Sequence, residues 1–235
     1  MKNRTAEGYR SGIALIFEED LLMRIKFKFV FVFVILLVLA GTQICSAQTR
    51  YAYNNFDNLI SQLKRDWVIP DTNGKFYTHA DYNRAYANIN KSVWNSFGDA
   101  RNFVFSMNVA WRSATETPNT FYAGCGLMFR YTGKEDYLFA SLRMDGRMYF
   151  KGRRSGKEVK YGDYYYGPAR IEASHNLTVI ANDDNVKILV DGVQLSNTRD
   201  VMINRSGSFG LTTLSGSNKD WGTGCTFTEI NYYIW

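Results

Sequence analysis

The sequence has few prolines, cysteines and histidines, and it lacks any concentrated block of charge. It contains three prolines, three cysteines and two histidines in 235 residues. Neither His79 nor His175 is near a sequence motif typical of a catalytic serine or cysteine, so we expect no histidine-based nucleophilic catalysis. The formal net charge is +6, but the 28 Lys and Arg residues are dispersed along the chain. We therefore expect no nucleic-acid partner.

The chain also lacks the carboxylate pairs that glycosidases use. Glycoside hydrolysis normally needs two carboxylates on either side of the scissile bond. No glutamate after residue 47 has an Asp or Glu two positions away, the spacing that would put both on one strand face. Glu135 and Asp136 are adjacent at a hairpin tip, so their side chains diverge. We expect a protein that is not an enzyme of this kind.

The first part of the chain contains an export pattern. Basic residues between Arg24 and Lys28 precede an apolar run over residues 29–40, and Ala47 is a small residue at a cleavage position. The apolar run is shorter than the ~20 residues that a membrane-spanning helix needs. The pattern predicts a signal peptide over residues 23–47.

Two regions follow from this pattern. Residues 1–47 are predicted to be a leader, with Met23 as the true start. Residues 48–235 are then one domain, large enough to bury a sizeable core. We expect this domain to be secreted, either extracellular or at the cell surface.

Two cysteines remain after cleavage, Cys125 and Cys225. An even number of cysteines in an exported chain favours a disulfide. The residues that alternate with each cysteine are apolar, so both side chains should point into the core. Closing a loop of this length is worth about 4–5 kcal/mol in the chain-entropy description. The alternative is two buried free thiols.

The stretch Gly124–Lys151 predicts three consecutive antiparallel strands. Pairing Phe129 with Leu138 makes one face apolar throughout, whereas a one-residue slip would mix apolar and polar side chains. The same register pairs Leu127 with Ala140 and Cys125 with Leu142. The turn at Asp145-Gly146 then keeps Met148 and Phe150 on the apolar face.

The opposite face of these strands is rich in Arg, Lys, Tyr and Phe. Aromatic rings beside directional donors suit sugars, which present flat C–H faces and many hydroxyls. The alternative is that a loop or the N-terminal segment covers this face. The predicted ligand-binding residues are Arg130, Tyr137, Phe139, Arg143, Tyr149 and Lys151.

Most of the remaining chain is predicted to form short strands separated by turns. A helical spacing of one or two turns occurs only over residues 56–67, and residues 153–169 form a loop or a short strand. This pattern is typical of an all-β sandwich. The further strands are expected within 75–94 and at 102–111, 176–181, 186–190, 193–195, 208–214 and 226–234.

Three motifs in order resemble the LamG-like jelly roll of the concanavalin A-like lectin and glucanase fold. They are GLMFRY with DYLF at 126–139, NLTV with VKILVDG at 176–192, and SGSFGL with FTEI at 206–230. The resemblance implies an antiparallel jelly-roll sandwich and covers residues 100–235, whereas residues 48–99 match poorly. Thr228-Glu229 stands where the family has Asp-Asn, which puts an inherited calcium or ligand role there in doubt.

This fold serves lectins, adhesion domains and glycosidases, so the resemblance alone does not select a function. We expect a secreted, non-catalytic module that binds glycan or a cell-surface polymer. The alternatives are a self-associating structural or adhesion protein, with residues 231–235 as a candidate contact for a homo-oligomer, and an atypical glycoside-processing enzyme. No cofactor is expected, although residues 182–185 have oxygen ligands that suit calcium.

Overall fold

The computed structural model describes residues 48–235. The predicted leader at 1–47, including the signal peptide at 23–47, lies outside these residues. Within the described part, no helix is long and apolar enough to cross a membrane.

The described residues form one helix and thirteen strands. Residues 48–99, which match no predicted motif, contribute the helix and the first two strands and most of the third. The elements are α1 Phe56–Arg65, β1 Lys75–His79, β2 Tyr82–Tyr86, β3 Lys91–Ala100, β4 Phe103–Ser113, β5 Gly124–Gly133, β6 Asp136–Arg143, β7 Arg147–Arg154, β8 Lys157–Tyr165, β9 Glu172–Asn182, β10 Asn185–Val190, β11 Val193–Thr198, β12 Gly207–Ser215 and β13 Thr223–Ile234.

The strands form two antiparallel sheets packed face to face. The seven-stranded sheet has the order β1-β13-β4-β9-β10-β11, with β2 also paired to β13. The six-stranded sheet has the order β3-β12-β5-β6-β7-β8. The predicted all-β antiparallel jelly-roll sandwich is confirmed, and the region 153–169 contains a strand, β8.

The predicted register of the central hairpins is confirmed. Phe129 pairs with Leu138, and the same register continues along β5 and β6 to Cys125 and Leu142. Across the next turn, Leu142 pairs with Met148. Gly146 has a φ of +80°, the left-handed conformation that this tight turn requires. The inward side chains of these strands are fully buried.

A disulfide joins the two sheets through the core. Cys125 lies on β5 of the six-stranded sheet and Cys225 on β13 of the seven-stranded sheet, with their Cα atoms 6.0 Å apart. Both cysteines are buried, so the predicted bridge and its inward orientation are confirmed.

Helix α1 covers part of the outer face of the seven-stranded sheet. Asn55 caps the helix, since its side-chain Oδ1 accepts a hydrogen bond from the backbone N–H of Asn58 at 2.8 Å. Leu59 and Leu63 on the helix are buried in a second apolar cluster with outward residues of the sheet, among them Val104. No helix covers the outer face of the six-stranded sheet within residues 48–235, and this difference positions the candidate site.

The aromatic C-terminus is the end of the last strand and packs partly against its neighbours. Residues Asn231 to Ile234 are the end of β13, which is paired with β1 on one side and β4 on the other. Tyr233 is buried against α1, and the Tyr232 ring stacks on Tyr77 at 5.0 Å. Of residues 231–235 only Tyr233 is fully buried, so the homo-oligomer contact at this segment stays a prediction.

Candidate functional site

The outer face of the six-stranded sheet contains an elongated depression, called the groove below. Five adjacent strands, from β3 to β7 in the order of the sheet, contribute side chains to it. Its cavity has a volume of about 330 Å³. The side chains that line it include Lys91, Trp94, Tyr122, Met128, Lys134, Tyr137, Phe139, Lys151, Arg153 and Leu214.

Three of the six predicted ligand-binding residues line the groove: Tyr137, Phe139 and Lys151. The Nζ atom of Lys151 lies 5.9 Å from the centre of the Phe139 ring and 6.0 Å from that of Tyr149. At these distances the ammonium group is attracted to both ring faces. Tyr149 therefore lies beside the groove and fixes one of its cations. The ligand-binding role of these four residues stays a prediction.

Arg143 is buried next to the groove instead of facing it. The guanidinium lies 4.3 Å from the ring centre of Phe121 and 4.9 Å from that of Tyr149. One of its nitrogens donates to Asp163 at 3.0 Å and pairs with Asp145 at 3.5 Å. Only 3% of Arg143 is exposed, so it supports the groove from the side. The ligand-binding role of Arg143 stays a prediction, and the structure shows a guanidinium that is packed and not open on the face.

The two carboxylates next to Arg143 have shifted pKa values. Burial raises the pKa of Asp145, since a charged carboxylate loses solvation there. Burial also acts to raise the pKa of Asp163, but the hydrogen bonds and charges of Lys160 and Arg143 outweigh it and lower that pKa. Asp163 is thus held as the ionised partner of the buried guanidinium.

Arg130 is not on the groove face, and its predicted place there is wrong. Phe129 and Arg130 both oppose Phe209 in a β-bulge, and Arg130 has a φ of +51°. The extra residue turns the Arg130 side chain inward at one end of the sandwich, where it is fully buried. The following residue, Tyr131, takes the outward position, with its ring 6.0 Å from Trp94.

The buried guanidinium of Arg130 ties three loops together. It donates to the carbonyl oxygens of Arg101 at 2.8 Å, Ile203 at 2.6 Å and Asp183 at 2.5 Å. Burial lowers the pKa of Arg130 to about 10, and the nearby charge of Arg101 adds to the effect. Its role is structural, because its described partners are backbone carbonyls.

Several groove residues were missed by sequence reasoning. Arg153 lies two positions after Lys151 on β7, so the period-2 rule that selected Lys151 would also have selected it. Trp94 lies on β3, in the part of the chain without motifs, and reaches the groove because β3 pairs with β12 at Thr212. Tyr122 lies in the loop before β5 and carried no signal.

The groove is cationic. Among residues 48–235, its lining contains four Lys or Arg side chains and no Asp or Glu. Two of these cations are paired with carboxylates outside the groove, Lys151 with Glu158 at 2.6 Å and Arg153 with Glu135 at 3.3 Å. The other two, at residues 91 and 134, are exposed at its rim.

The loop considered for calcium is a tight hairpin turn. Asp183 has a φ of +51° at its tip, and its carboxylate pairs with Arg101 at 3.0 Å and accepts from Asn102 at 3.4 Å. Across residues 48–235, no group of three or more His, Cys, Asp or Glu side chains is arranged to hold a metal ion.

Comparison with known proteins gives no family for this chain. Neither the protein-family models nor the curated proteins contain a match. Among solved structures, the carbohydrate-binding module CBM66 from Bacillus subtilis is 16% identical, with a TM-score of 0.44, covering 66% of this chain and 94% of that one. Sheep galectin-11 is 12% identical, with a TM-score of 0.42 and coverages of 60% and 96%. A β-glucanase from Bacillus licheniformis is 12% identical, with a TM-score of 0.43 and coverages of 60% and 68%.

Proposed function

We propose that the domain is a LamG-like module that binds a polysaccharide in the groove, with a preference for acidic sugars, and that it does not catalyse a reaction. One observation carries the proposal: strands β3, β6 and β7 and the loops on either side of β5 bring aromatic rings and four cations to one groove, which spans five adjacent strands. Within residues 48–235 no helix covers this face, whereas α1 covers part of the outer face of the other sheet.

The groove has the two kinds of group that an acidic glycan needs. Trp94 and Tyr122 are large rings with about two-fifths of their surface exposed, so a sugar C–H face can pack on them. Lys and Arg at the rim donate charge-assisted hydrogen bonds to carboxylate or sulfate groups. A two-carboxylate hydrolysis would need acids that the groove lining does not supply.

The proposed place of action is outside the cell. The signal-peptide pattern at 23–47 and the disulfide between Cys125 and Cys225 support export, since disulfides persist in oxidising compartments. N-terminal sequencing of material from the culture medium or cell surface tests this: a start at Gln48 supports it, and a retained apolar run at 29–40 contradicts it.

The binding experiment uses residues 48–235 and a set of soluble polymers. Polygalacturonate, hyaluronan and carboxymethyl cellulose are the acidic probes, and hydroxyethyl cellulose is the neutral partner of the last. In affinity electrophoresis we expect retardation by at least one acidic polymer, decreasing as salt rises from about 50 to 200 mM because screening strengthens.

Two variants and one control locate the binding. Trp94→Ala removes the exposed ring, and Lys151→Ala removes a cation, so each is expected to weaken retardation about tenfold or more. Trp67→Ala is the control. Trp67 is also an exposed ring, at 85%, but it lies just after α1 and does not line the groove. Lack of retardation by every polymer, or an equal effect of Trp67→Ala, would overturn the proposal.

Self-association remains a second candidate because of one observation on β1. This strand is an edge of the seven-stranded sheet and exposes Phe76 and Tyr77, the first by about half of its surface. Exposed edge strands with apolar side chains can pair with another chain. A dimer in analytical ultracentrifugation that Phe76→Lys dissociates would support this candidate, and a monomer at all concentrations would remove it.

A further inference from the structure

We propose that a second cavity, on the outer face of the seven-stranded sheet, binds a neutral sugar residue. This cavity, called the basin below, has a volume of about 460 Å³ and lies between residues 50–56 and the sheet. It is on the face opposite the groove, so the inference does not rest on the proposed function. The side chains that define its chemistry are Arg50, Asn54, Asn108, Asn176, Asp191 and Glu229.

The floor of the basin is a rigid hydrogen-bonded layer centred on Asn176. Its Nδ2 atom donates to Ser106 at 3.2 Å and to Asn108 at 3.1 Å, and its Oδ1 atom accepts from Tyr53 at 3.0 Å. Thr178 is fully buried beneath them and donates to Ser106 at 3.0 Å. Such a fully paired network fixes the positions of the groups above it.

Two carboxylates stand on this floor. Asp191 accepts from the backbone N–H of Asn176 at 2.8 Å and from His175 at 2.7 Å. Burial acts to raise the pKa of Asp191, but these two hydrogen bonds and the charges of His175 and Arg50 together outweigh it and lower the pKa. Asp191 is therefore an ionised acceptor at neutral pH.

Glu229, the second carboxylate, has an unusual backbone conformation. It has a φ of +52° inside β13, at a bulge between Thr228 and Asn231, a conformation that is unfavourable for a residue with a side chain. Its Oε2 atom accepts from Asn108 at 2.8 Å, and its backbone oxygen accepts from Asn231 at 2.9 Å. Strain of this kind persists where the surrounding structure supports it and is often a mark of a functional position.

The mixture of groups selects the ligand class. The carboxylates offer acceptors, whereas Arg50 and Asn54 at the entrance offer donors. Hydroxyl groups both donate and accept, so a sugar ring with neighbouring hydroxyls satisfies both sets. An acidic ligand would be repelled by Asp191 and Glu229, so the basin is suited to a neutral sugar, in contrast to the cationic groove.

The test is a titration of ¹⁵N-labelled protein, residues 48–235, followed by two-dimensional NMR. The probes are the methyl glycosides of glucose, galactose, mannose and xylose, each up to about 50 mM, since single sugars bind in the millimolar range. We expect saturable shifts of the side-chain amide signals of Asn108 and Asn176 with at least one probe. The indole signal of Trp94 reports on the groove separately, so the two sites succeed or fail independently.

The variants decide whether the carboxylate binds the sugar. Glu229→Gln keeps an oxygen that can accept from Asn108 but loses the charge, and it is expected to weaken binding at least tenfold. Glu172→Gln is the matched control, since Glu172 is an exposed glutamate on β9 outside the basin. If Glu229→Gln does not fold, Arg50→Ala takes its place, with the same expectation. Absence of shifts with all four probes, or unchanged affinity in the variant that folds, would overturn the inference.

Discussion

The two outer faces of the sandwich have opposite chemistry, although both are built from strands with the same alternation. On the seven-stranded sheet, the outward positions of β4 change from Val104 beneath α1 to Ser106 and Asn108 beyond it. On the six-stranded sheet, the outward positions of β3, β6 and β7 carry large rings and cations along the groove. The outward face is thus apolar beneath α1, whereas polar side chains beyond the helix line the basin.

The disulfide is expected to have the largest effect, because it joins the two sheets whose outer faces differ. Replacing Cys125 and Cys225 together by Ala should lower the free energy of unfolding by about 4–5 kcal/mol, since the unfolded chain gains a long open loop. Urea denaturation of the variant and of the intact protein measures this. Equal midpoints, with no disulfide detected by intact mass, would contradict the bridge.

Arg143 tests whether the side of the groove is packed like a core. Arg143→Ala should cost about 3 kcal/mol, because it leaves the carboxylates of Asp163 and Asp145 without their buried partner. Leu142→Ala, the inward neighbour, should cost about 2–5 kcal/mol through lost burial and a cavity. Thermal and urea denaturation should therefore show both variants destabilised. If Arg143→Ala lowers the free energy of unfolding only slightly, this residue belongs to the open face after all.

The helix cap tests how firmly α1 covers the other face. Asn55→Ala should lower the free energy of unfolding by about 1 kcal/mol, because the backbone N–H of Asn58 loses its acceptor. Ser61→Ala, at an exposed position within the helix, is the control and should change stability little. Hydrogen exchange should quicken in α1 and leave β4 protected. Uniform loss of protection would show that the helix and the sheet open together.

The smallest effect is a pH dependence at the basin. The folded-state pKa of Asp191 is lowered, so its contribution is present above its unfolded pKa and is lost as pH falls through the folded value. About half of this side chain is exposed, so the contribution is only about 0.5 kcal/mol. The stability difference between wild type and Asp191→Asn should shrink between about pH 5 and pH 2. A constant difference across this range would contradict the role of the His175 contact.

Sequence alternation predicted the hairpins because neighbouring strands pair locally. Leu127, Phe129 and Leu138 had to share a face, since any slip would have exposed them. The same argument oriented Cys125, and it placed Tyr137, Phe139 and Lys151 outward. It failed at Arg130, where one extra residue in β5 reverses the side chain.

Contacts between residues distant in sequence were beyond that argument. Arg143 is on an outward position, yet Asp163 of β8 and Phe121 of a loop bury it. Trp94 reached the groove through the pairing of β3 with β12, and Tyr53 reached the basin through its bond to Asn176. None of these pairs has a pattern that a single sequence reveals.

The sequence by itself therefore determined most of the strands after residue 100, the parity of the central hairpins and the inward orientation of both cysteines. Each of these follows from the period of two along a strand, a local property of the backbone. Only the tertiary structure decided which outward residues stay open to a ligand. That outcome depends on which distant element packs over each face. Within residues 48–235, α1 and residues 50–56 cover part of one outer face, and no helix covers the other.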